Sequence, residues 1–364
     1  MSKLNKLLKN PGIFFRDYFI KKYPLSLDEQ GHNLLHENIL IENDFRLYDI
    51  TANECNEPVD VVITWVNNQA PDWVAKFEYY KNKQINGINP ISIDNARFEY
   101  HGELFYVIKS IKNFMPWVRN IFLVTDNQIP EFKLPDKVVI VDHNQIIDKK
   151  HLPTFNSHVI EAHLHNIPNL SENFIYFNDD VFVARDLPKS HFLSGNNLSS
   201  LFLNNKNLDV MLKKGISTPT LLASLNSRRL LFKKYGKDIN IPLVHTYIPL
   251  KKTYFNFAWD YFYKDIGEFI NNRFRADNDI NLATFLVPWM MYLESQSILA
   301  RDICYYFNIR SAFANTNYRV LYYKKKNNNN KMLPHSICAN DFLTKKIGLQ
   351  YQEDLMNFLK SFYT

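Results

Sequence analysis

Val59 to Val66, VDVVITWV, is a run of β-branched and aromatic residues interrupted by one charge, Asp60. It does not alternate with polar residues, so both of its faces are apolar, the signature of a strand covered on two sides in a parallel sheet. Outward from it the texture repeats. Asp72 to Gln84 has helical spacing with Asp72 as a cap, and Gly102 to Phe114 forms a second amphipathic helix stopped by Pro116. Asn120 to Thr125 (NIFLVT) and Lys137 to Val141 (KVVIV) are further short buried strands. Asn156 to Ile167 is helical, and Phe174 to Phe177 (FIYF) is a strand that runs into Asn178-Asp179-Asp180. Strands alternating with helices predict crossover connections: an α/β, Rossmann-like, mainly parallel sheet with helices on both faces. Ligands of such sheets bind beyond the carboxyl ends of the strands. Asn67-Asn68, Thr125-Asp126-Asn127 and Asn178-Asp179-Asp180 all stand at those ends.

The organisation read from composition has four parts. Residues 1–25 form a basic amphipathic helix, with Lys3, Lys6, Lys9, Arg16, Lys21 and Lys22 set among Leu4, Leu7, Leu8, Ile13, Phe14, Phe15, Tyr18 and Phe19. Such a helix suits either an anionic membrane surface or the body of the protein. Residues 26–57 connect it to a Rossmann-like core at 58–200, and 201–364 reads as mostly helical, with Leu221 to Tyr235 and Lys252 to Ile270 the clearest helices. Lys324 to Lys331 (KKKNNNNK) reads as an exposed loop. With 46% hydrophobic residues, the chain has ample material for a core, which excludes a disordered protein. Nine glycines argue against a Gly-rich phosphate loop, and a net charge of +6 is far from a nucleic-acid-binding tail. Cys55, Cys304 and Cys338 are too scattered for a disulfide framework, so a reducing, cytoplasmic compartment is the default. No window holds the ~18 apolar residues of a membrane span.

Asp179-Asp180 is the strongest chemical signal. At a strand end, carboxylates can hold a divalent ion or take a proton from an attacking hydroxyl, although a bare Asp-Asp by itself reads more simply as a pair of turn residues. His158, His163 and His165 share a helix with Glu161, but the spacing is not that of a zinc site. Arg273-Phe-Arg275-Ala-Asp-Asn-Asp279 sets two guanidinium groups beside carboxylates, a composition suited to phosphate and also to a solvated turn. His245 stands alone in an apolar stretch, IPLVHTYIPL, where a lone histidine is more often a satisfied core residue than a base.

Taken in order, these fragments resemble the Stealth family of sugar-phosphate transferases, which includes bacterial capsular and exopolysaccharide phosphotransferases and the animal N-acetylglucosamine-1-phosphotransferase. The blocks are DVVITWVNNQAPDW (60–73), RFEYHGELFYVIKSIKNFMPWVRNIFLVTDNQ (97–128), the region 156–187 around FIYFNDDVF, and 245–279, which opens HTYIPLKK and closes RFRADND. SICAND (336–341) is similar to the family's Cys-x-Asn-Asp ending. The chain departs from the family at Asn67-Asn68-Gln69-Ala70-Pro71, where Asn/Asp-Gly-x-Asp-Pro is usual, and at Arg97-Phe-Glu-Tyr-His-Gly-Glu103.

The resemblance implies a glycosyltransferase-A-like core completed by the C-terminal part. It also implies transfer of a sugar 1-phosphate from a UDP-sugar to a glycan hydroxyl in capsule or cell-surface polysaccharide synthesis, with UMP released. By the same resemblance His245 is a candidate base, with Asp180 as the alternative, and Asp179 and Asp180 would hold Mg2+, or Mn2+ in its place. Arg275 would clamp phosphate with Asp279 fixing its side chain. Asp60, Trp65, Asn67, Arg97, Glu103, Asp126, Asn156, Glu161, His163, Arg273 and Asn340 complete the expected donor and acceptor site. No nucleic-acid partner is expected. A metal-dependent glycosyltransferase releasing UDP and a non-catalytic glycan-binding relative are the alternatives.

Overall fold

The computed structural model describes residues 7–8, 11–22, 55–83, 90–93, 98–215, 217–328, 332–342 and 350–364. Arg97 and most of the connecting segment lie outside them. In chain order the helices used below are α1 (Pro11–Lys22), α2 (Pro71–Lys83), α3 (Leu104–Phe114), α4 (Ser157–Ala162), α5 (Pro219–Tyr235), α6 (Lys252–Tyr261), α7 (Val287–Leu293), α8 (Ala314–Asn328) and α9 (Tyr351–Tyr363). The strands are β1 (Val59–Thr64), β2 (Ile121–Thr125), β3 (Val138–Asp142), β4 (Asn173–Asn178), β5 (Val181–Val183), β6 (Ser199–Phe202), β7 (Ile248–Lys251), β8 (Ser297–Ala300), β9 (Cys304–Asn308) and β10 (Ser336–Asn340).

The central sheet runs β3-β2-β1-β4-β7. β1, β2, β3 and β4 are mutually parallel, and β7 closes one edge antiparallel to β4. VDVVITWV is indeed covered on both faces, and alternate residues show by what. Val59, Val61 and Ile63 join Ile121, Leu123, Ile175 and Phe177 in one core, packed by α3 and α9. Val62 joins Phe122, Val124, Phe174 and Tyr176 in the other, packed by α4, α6 and α7. Val61, Val62 and Ile63 are fully buried, each contributing about 1.5–3 kcal/mol of transfer free energy. A register slip of one residue would exchange the two sets, so the pairing is strongly specified.

The helical texture beyond residue 200 is interleaved with short strands that periodicity does not single out. β7 returns to the central sheet, and β9 and β10 build a second sheet with β5 in the order β5-β10-β9. These strands have four or five residues, too few for a period to register. Three expectations are corrected locally. Residues 156–167 form α4 and then a separate tight turn at Leu164–Asn166. The helix expected over 252–270 breaks at Phe262 into α6 and Tyr263–Phe269. Finally, Lys324 to Asn328 is no loop but the last turn of α8, where Lys324 is buried and donates to the Tyr305 hydroxyl at 2.7 Å. Among the described residues no helix is long and apolar enough to cross a membrane.

Candidate active site

The chain order of the sheet reverses between β1 and β4, since β2 and β3 extend to one side of β1 and β4 lies on the other. The loops leaving the two strands therefore diverge and open a crevice. There the structure has a cleft of about 1080 Å³, lined by Thr64 and Trp65 at the end of β1 and by Asn178, Asp179 and Asp180 at the end of β4.

The acidic pair occupies the sharp connection between β4 and β5. The Asp180 carbonyl accepts the Ala339 amide at 3.0 Å, which ties this turn to β10. Asp180 Oδ2 accepts Asn340 Nδ2 at 2.9 Å and the Cys338 thiol at 3.4 Å, while its buried Oδ1 has no partner among the described residues. Burial, then the neighbouring Asp180 carboxylate, pushes Asp179 up to about 7. Glu103, at the start of α3, is pushed up to about 8 by burial and then by Asp179. Two of the three carboxyls therefore resist ionisation as long as nothing positive joins them.

His245 reaches the cleft from the apex of a three-residue turn, in which the Thr246 amide donates to the Val244 carbonyl at 2.9 Å. Its side chain is 44% exposed, and Nε2 stands 3.9 Å from Asp180 Oδ2. It is not the buried core histidine its apolar surroundings permit. Arg275 lines the same cleft, with Nη2 donating to Ser157 Oγ at 2.6 Å and Nη1 to Thr220 Oγ1 at 3.0 Å. Both hydroxyls sit in the first turns of helices, α4 and α5. Trp65, Glu161 and Asn340 also line this cleft, and Glu161 is pushed up by burial.

Other expected site residues stand elsewhere. Asp60 is at the far end of β1, where Arg119 Nε at 2.9 Å and the amides of Asn120 and Ser171 at 3.1 and 2.8 Å engage it; it clasps three strands together and, among the described residues, is not part of the cleft lining. Asp279 is fully buried and does not fix Arg275. It accepts Asn156 Nδ2 at 2.8 Å, Asn272 Nδ2 at 2.8 Å and the Ala276 amide at 3.2 Å, with His158 Nδ1 at 3.0 Å. Asn156 caps α4 and anchors that same loop, so both residues carry Arg275 into place without lining the cleft. Arg273 packs over the Tyr80 ring at 4.2 Å and donates to the Pro153 carbonyl. His163 bonds the Val159 carbonyl at 2.7 Å, and burial pushes it down. Asn67 and Asp126 line an adjoining recess of about 220 Å³, where Asp126 pairs with Lys76.

Comparison with known proteins decides the family. Residues 97–217 match the model described as Stealth protein CR2, conserved region 2. The chain is 54% identical to a capsular polysaccharide phosphotransferase of Haemophilus influenzae, covering 94% of each. It is 49% identical to another of Neisseria meningitidis over 100% of both chains. This chain belongs to the Stealth family of phosphotransferases. Solved structures align more loosely: the galactosyltransferase LgtC, in complex with donor and acceptor sugar analogs, gives a TM-score of 0.41 at 11% identity, covering 83% of this chain and 95% of that one.

Within this Stealth enzyme the residues at the β4 end fit a divalent cation. Ligand atoms of Asp180, His245 and Cys338 all lie within 4.8 Å of one another. Burial and then Asp180 push the Cys338 thiol well above its ordinary range, so it remains a protonated donor. The hard oxygen donors are the carboxylates, and the unpartnered Oδ1 of Asp180 is an acceptor that a cation would satisfy. Sequence reasoning missed Ser157 and Thr220. It also missed the cluster of Glu99, His101 and Asp341 about Arg310, in which His101 Nε2 lies 2.9 Å from Asp341 Oδ2 and Arg310 Nη2 lies 2.5 Å from Glu99 Oε2. Three of these four lie inside the quoted blocks RFEYHGE and SICAND; the signal was present, but Arg310 lies outside every block.

Proposed function

We propose that this Stealth chain moves a sugar 1-phosphate from a UDP-sugar to a hydroxyl of a capsular glycan. The acceptor oxygen bonds to the phosphorus that carries the sugar. The bond from that phosphorus to the oxygen bridging to UMP breaks, and UMP leaves with that oxygen. The acceptor proton passes to His245 Nε2, with Asp180 as the alternative base. The sugar C1–O bond is untouched, so the anomeric configuration is retained.

The observation that supports this reading most is the convergence of a base, two carboxylates and a guanidinium on one cleft. His245 lies 3.9 Å from Asp180, and Arg275 is held at the same cavity by two hydroxyls. Phosphoryl transfer asks the protein chiefly for positioning and for charge to offset that on the phosphate oxygens. Arg275 presents a planar fork suited to the diphosphate. Asp179 and Asp180 would hold Mg2+, or Mn2+ in its place, whose charge offsets that of the transferring phosphoryl group. Trp65, Glu103, Glu161 and Asn340 bound the space for sugar and acceptor. Residues 58–200 would carry most of the donor site, and 201–364 would complete it with His245 and Arg275. The reading extends to location. The protein is cytoplasmic and held at the inner face of the membrane through α1, whose sequence is basic and whose Ile13, Phe15 and Tyr18 are exposed by 42%, 49% and 46%.

The test is to incubate the purified protein with a panel of UDP-sugars, an acceptor glycan and Mg2+, and to identify the nucleotide released. UMP is expected. UDP would make the chain a glycosyltransferase, and release of neither by any donor would leave a glycan-binding protein.

A further inference from the structure

The last strand of the second sheet carries a polar face whose side chains meet Asp180 and the turn that carries His245. In β10, Ser336, Cys338 and Asn340 are two residues apart and therefore share a face. Their partners divide into two groups. Cys338 Sγ and Asn340 Nδ2 both donate to one atom, Asp180 Oδ2, at 3.4 and 2.9 Å. Ser336 Oγ accepts from Thr246 Oγ1 at 2.7 Å and donates to Asp302 Oδ2 at 2.8 Å. Thr246 is the residue after His245, in the same three-residue turn. Asp302 is itself fixed in the interior by the Tyr247 hydroxyl at 2.6 Å and by His191 Nε2 at 3.0 Å.

We propose that β10 is a positioning strand, and that Ser336, Cys338 and Asn340 set the placement of Asp180 against His245. The inference rests on the reading of this cleft given above. Its physical basis is rotational. A carboxylate at a strand end turns freely about its Cα–Cβ and Cβ–Cγ bonds; two donors converging on one oxygen hold it in one rotamer and aim the other oxygen away from them. That other oxygen, Oδ1, is the one left without a partner. The strand cannot slide, because Cys338 registers with Val181 and the Ala339 amide is bonded to the Asp180 carbonyl. Ser336 secures the turn that carries His245 from the same face. The Ser-x-Cys-x-Asn spacing is thus a consequence of the strand period.

The experiment is a double-mutant cycle on the full chain, comparing Asn340→Ala, Cys338→Ala and Cys338→Ser in the wild-type and Asp180→Asn backgrounds. Nucleotide release is measured beside Mn2+ affinity, the latter read by electron paramagnetic resonance without donor. Partners that orient a ligating or reacting group are worth about 10–100-fold. Asn340→Ala is expected to lower kcat by about tenfold and to weaken Mn2+ binding, with donor KM nearly constant; Cys338→Ser should recover most of what Cys338→Ala loses. In the Asp180→Asn background each further loss should fall below about twofold, because the residues act through Asp180. Losses that persist undiminished there would overturn the proposal and make β10 a packing strand. Cys338 is wholly buried; should its variants fail to fold, the half-buried Asn340 alone decides the cycle. The cycle reads equally on either nucleotide, so release of UDP would remove the phosphotransfer reading and leave this test standing.

Discussion

Asp180 and Asp279 are both acids in charged motifs, Asn-Asp-Asp and Arg-Phe-Arg-Ala-Asp-Asn-Asp, and on paper they look equally suited to a site. In the fold they are opposites. Every close partner of Asp279 is a protein group: Asn156, His158, Asn272 and the Ala276 amide surround it in the interior. Asp180 has two donors on one oxygen and none on the other, and it faces a cleft. A carboxylate whose acceptor capacity is filled by the protein builds structure; one with an oxygen left over is available for chemistry.

That contrast is broken or sharpened by substitution. The largest effect is expected from Asp279→Ala, which strands several buried donors and should cost about 3–5 kcal/mol of stability. Urea unfolding reads this directly, and an unchanged midpoint would return Asp279 to the list of ligand-binding residues. Asp180→Asn should do the reverse, leaving the urea midpoint nearly unchanged while turnover falls on the order of 100-fold. Near wild-type turnover at saturating Mg2+ would exclude the β4 end as the reaction centre.

The two arginines of the Asp279 loop extend the comparison. Lys at position 275 keeps the charge but cannot span Ser157 and Thr220 as the guanidinium fork does, so Arg275→Lys should weaken donor binding about as much as Arg275→Ala, roughly tenfold. Arg273→Ala, at a side chain packed on Tyr80, should leave donor titrations almost unmoved.

Glu103 offers a smaller, pH-dependent test. Its carboxyl is raised from an ordinary 4.5 to about 8, so it favours the fold when protonated; that advantage is complete below about 4.5 and is lost as pH rises through about 8. Glu103→Gln cannot ionise, and its melting temperature should gain on the wild type between pH 5 and pH 8.5. A constant gap would mean that Glu103 is not held neutral. The least effect on turnover is expected from removing residues 1–22, which should free the protein from anionic vesicles, as added salt should, with UMP release intact. Vesicle binding that survives the deletion would dismiss α1 as the anchor.

How much was legible follows from the range of each interaction. Both-faced burial of VDVVITWV, the succession of crossovers and the acidic end of β4 depend on residues near in sequence, and the structure matches them. The family blocks pointed to His245, Arg275 and Asn340, but the partner they implied for Arg275 was Asp279, whereas Ser157 and Thr220 hold it. Composition reports that a group is polar, and only its neighbours say whether its hydrogen bonds are already filled, as protein groups fill those of Asp60, Asn156, His163, Arg273 and Asp279. Ser157 and Thr220 were invisible because a helix N-terminal hydroxyl looks the same whether it caps its helix or holds a distant guanidinium.

The sequence by itself determined a parallel α/β core, a strand-end acidic pair and membership of the Stealth family, because these rest on periodicity, strand order and contiguous motifs. Only the tertiary structure decided that β10 would lie against β5 and bring Cys338 and Asn340 onto Asp180, more than 150 residues away in the chain. It likewise decided that Asp279 would be buried and Asp180 left facing the cleft. Pairings of that separation are selected by the packing of the whole core, where loop closure is repaid by burial, and no local pattern encodes them.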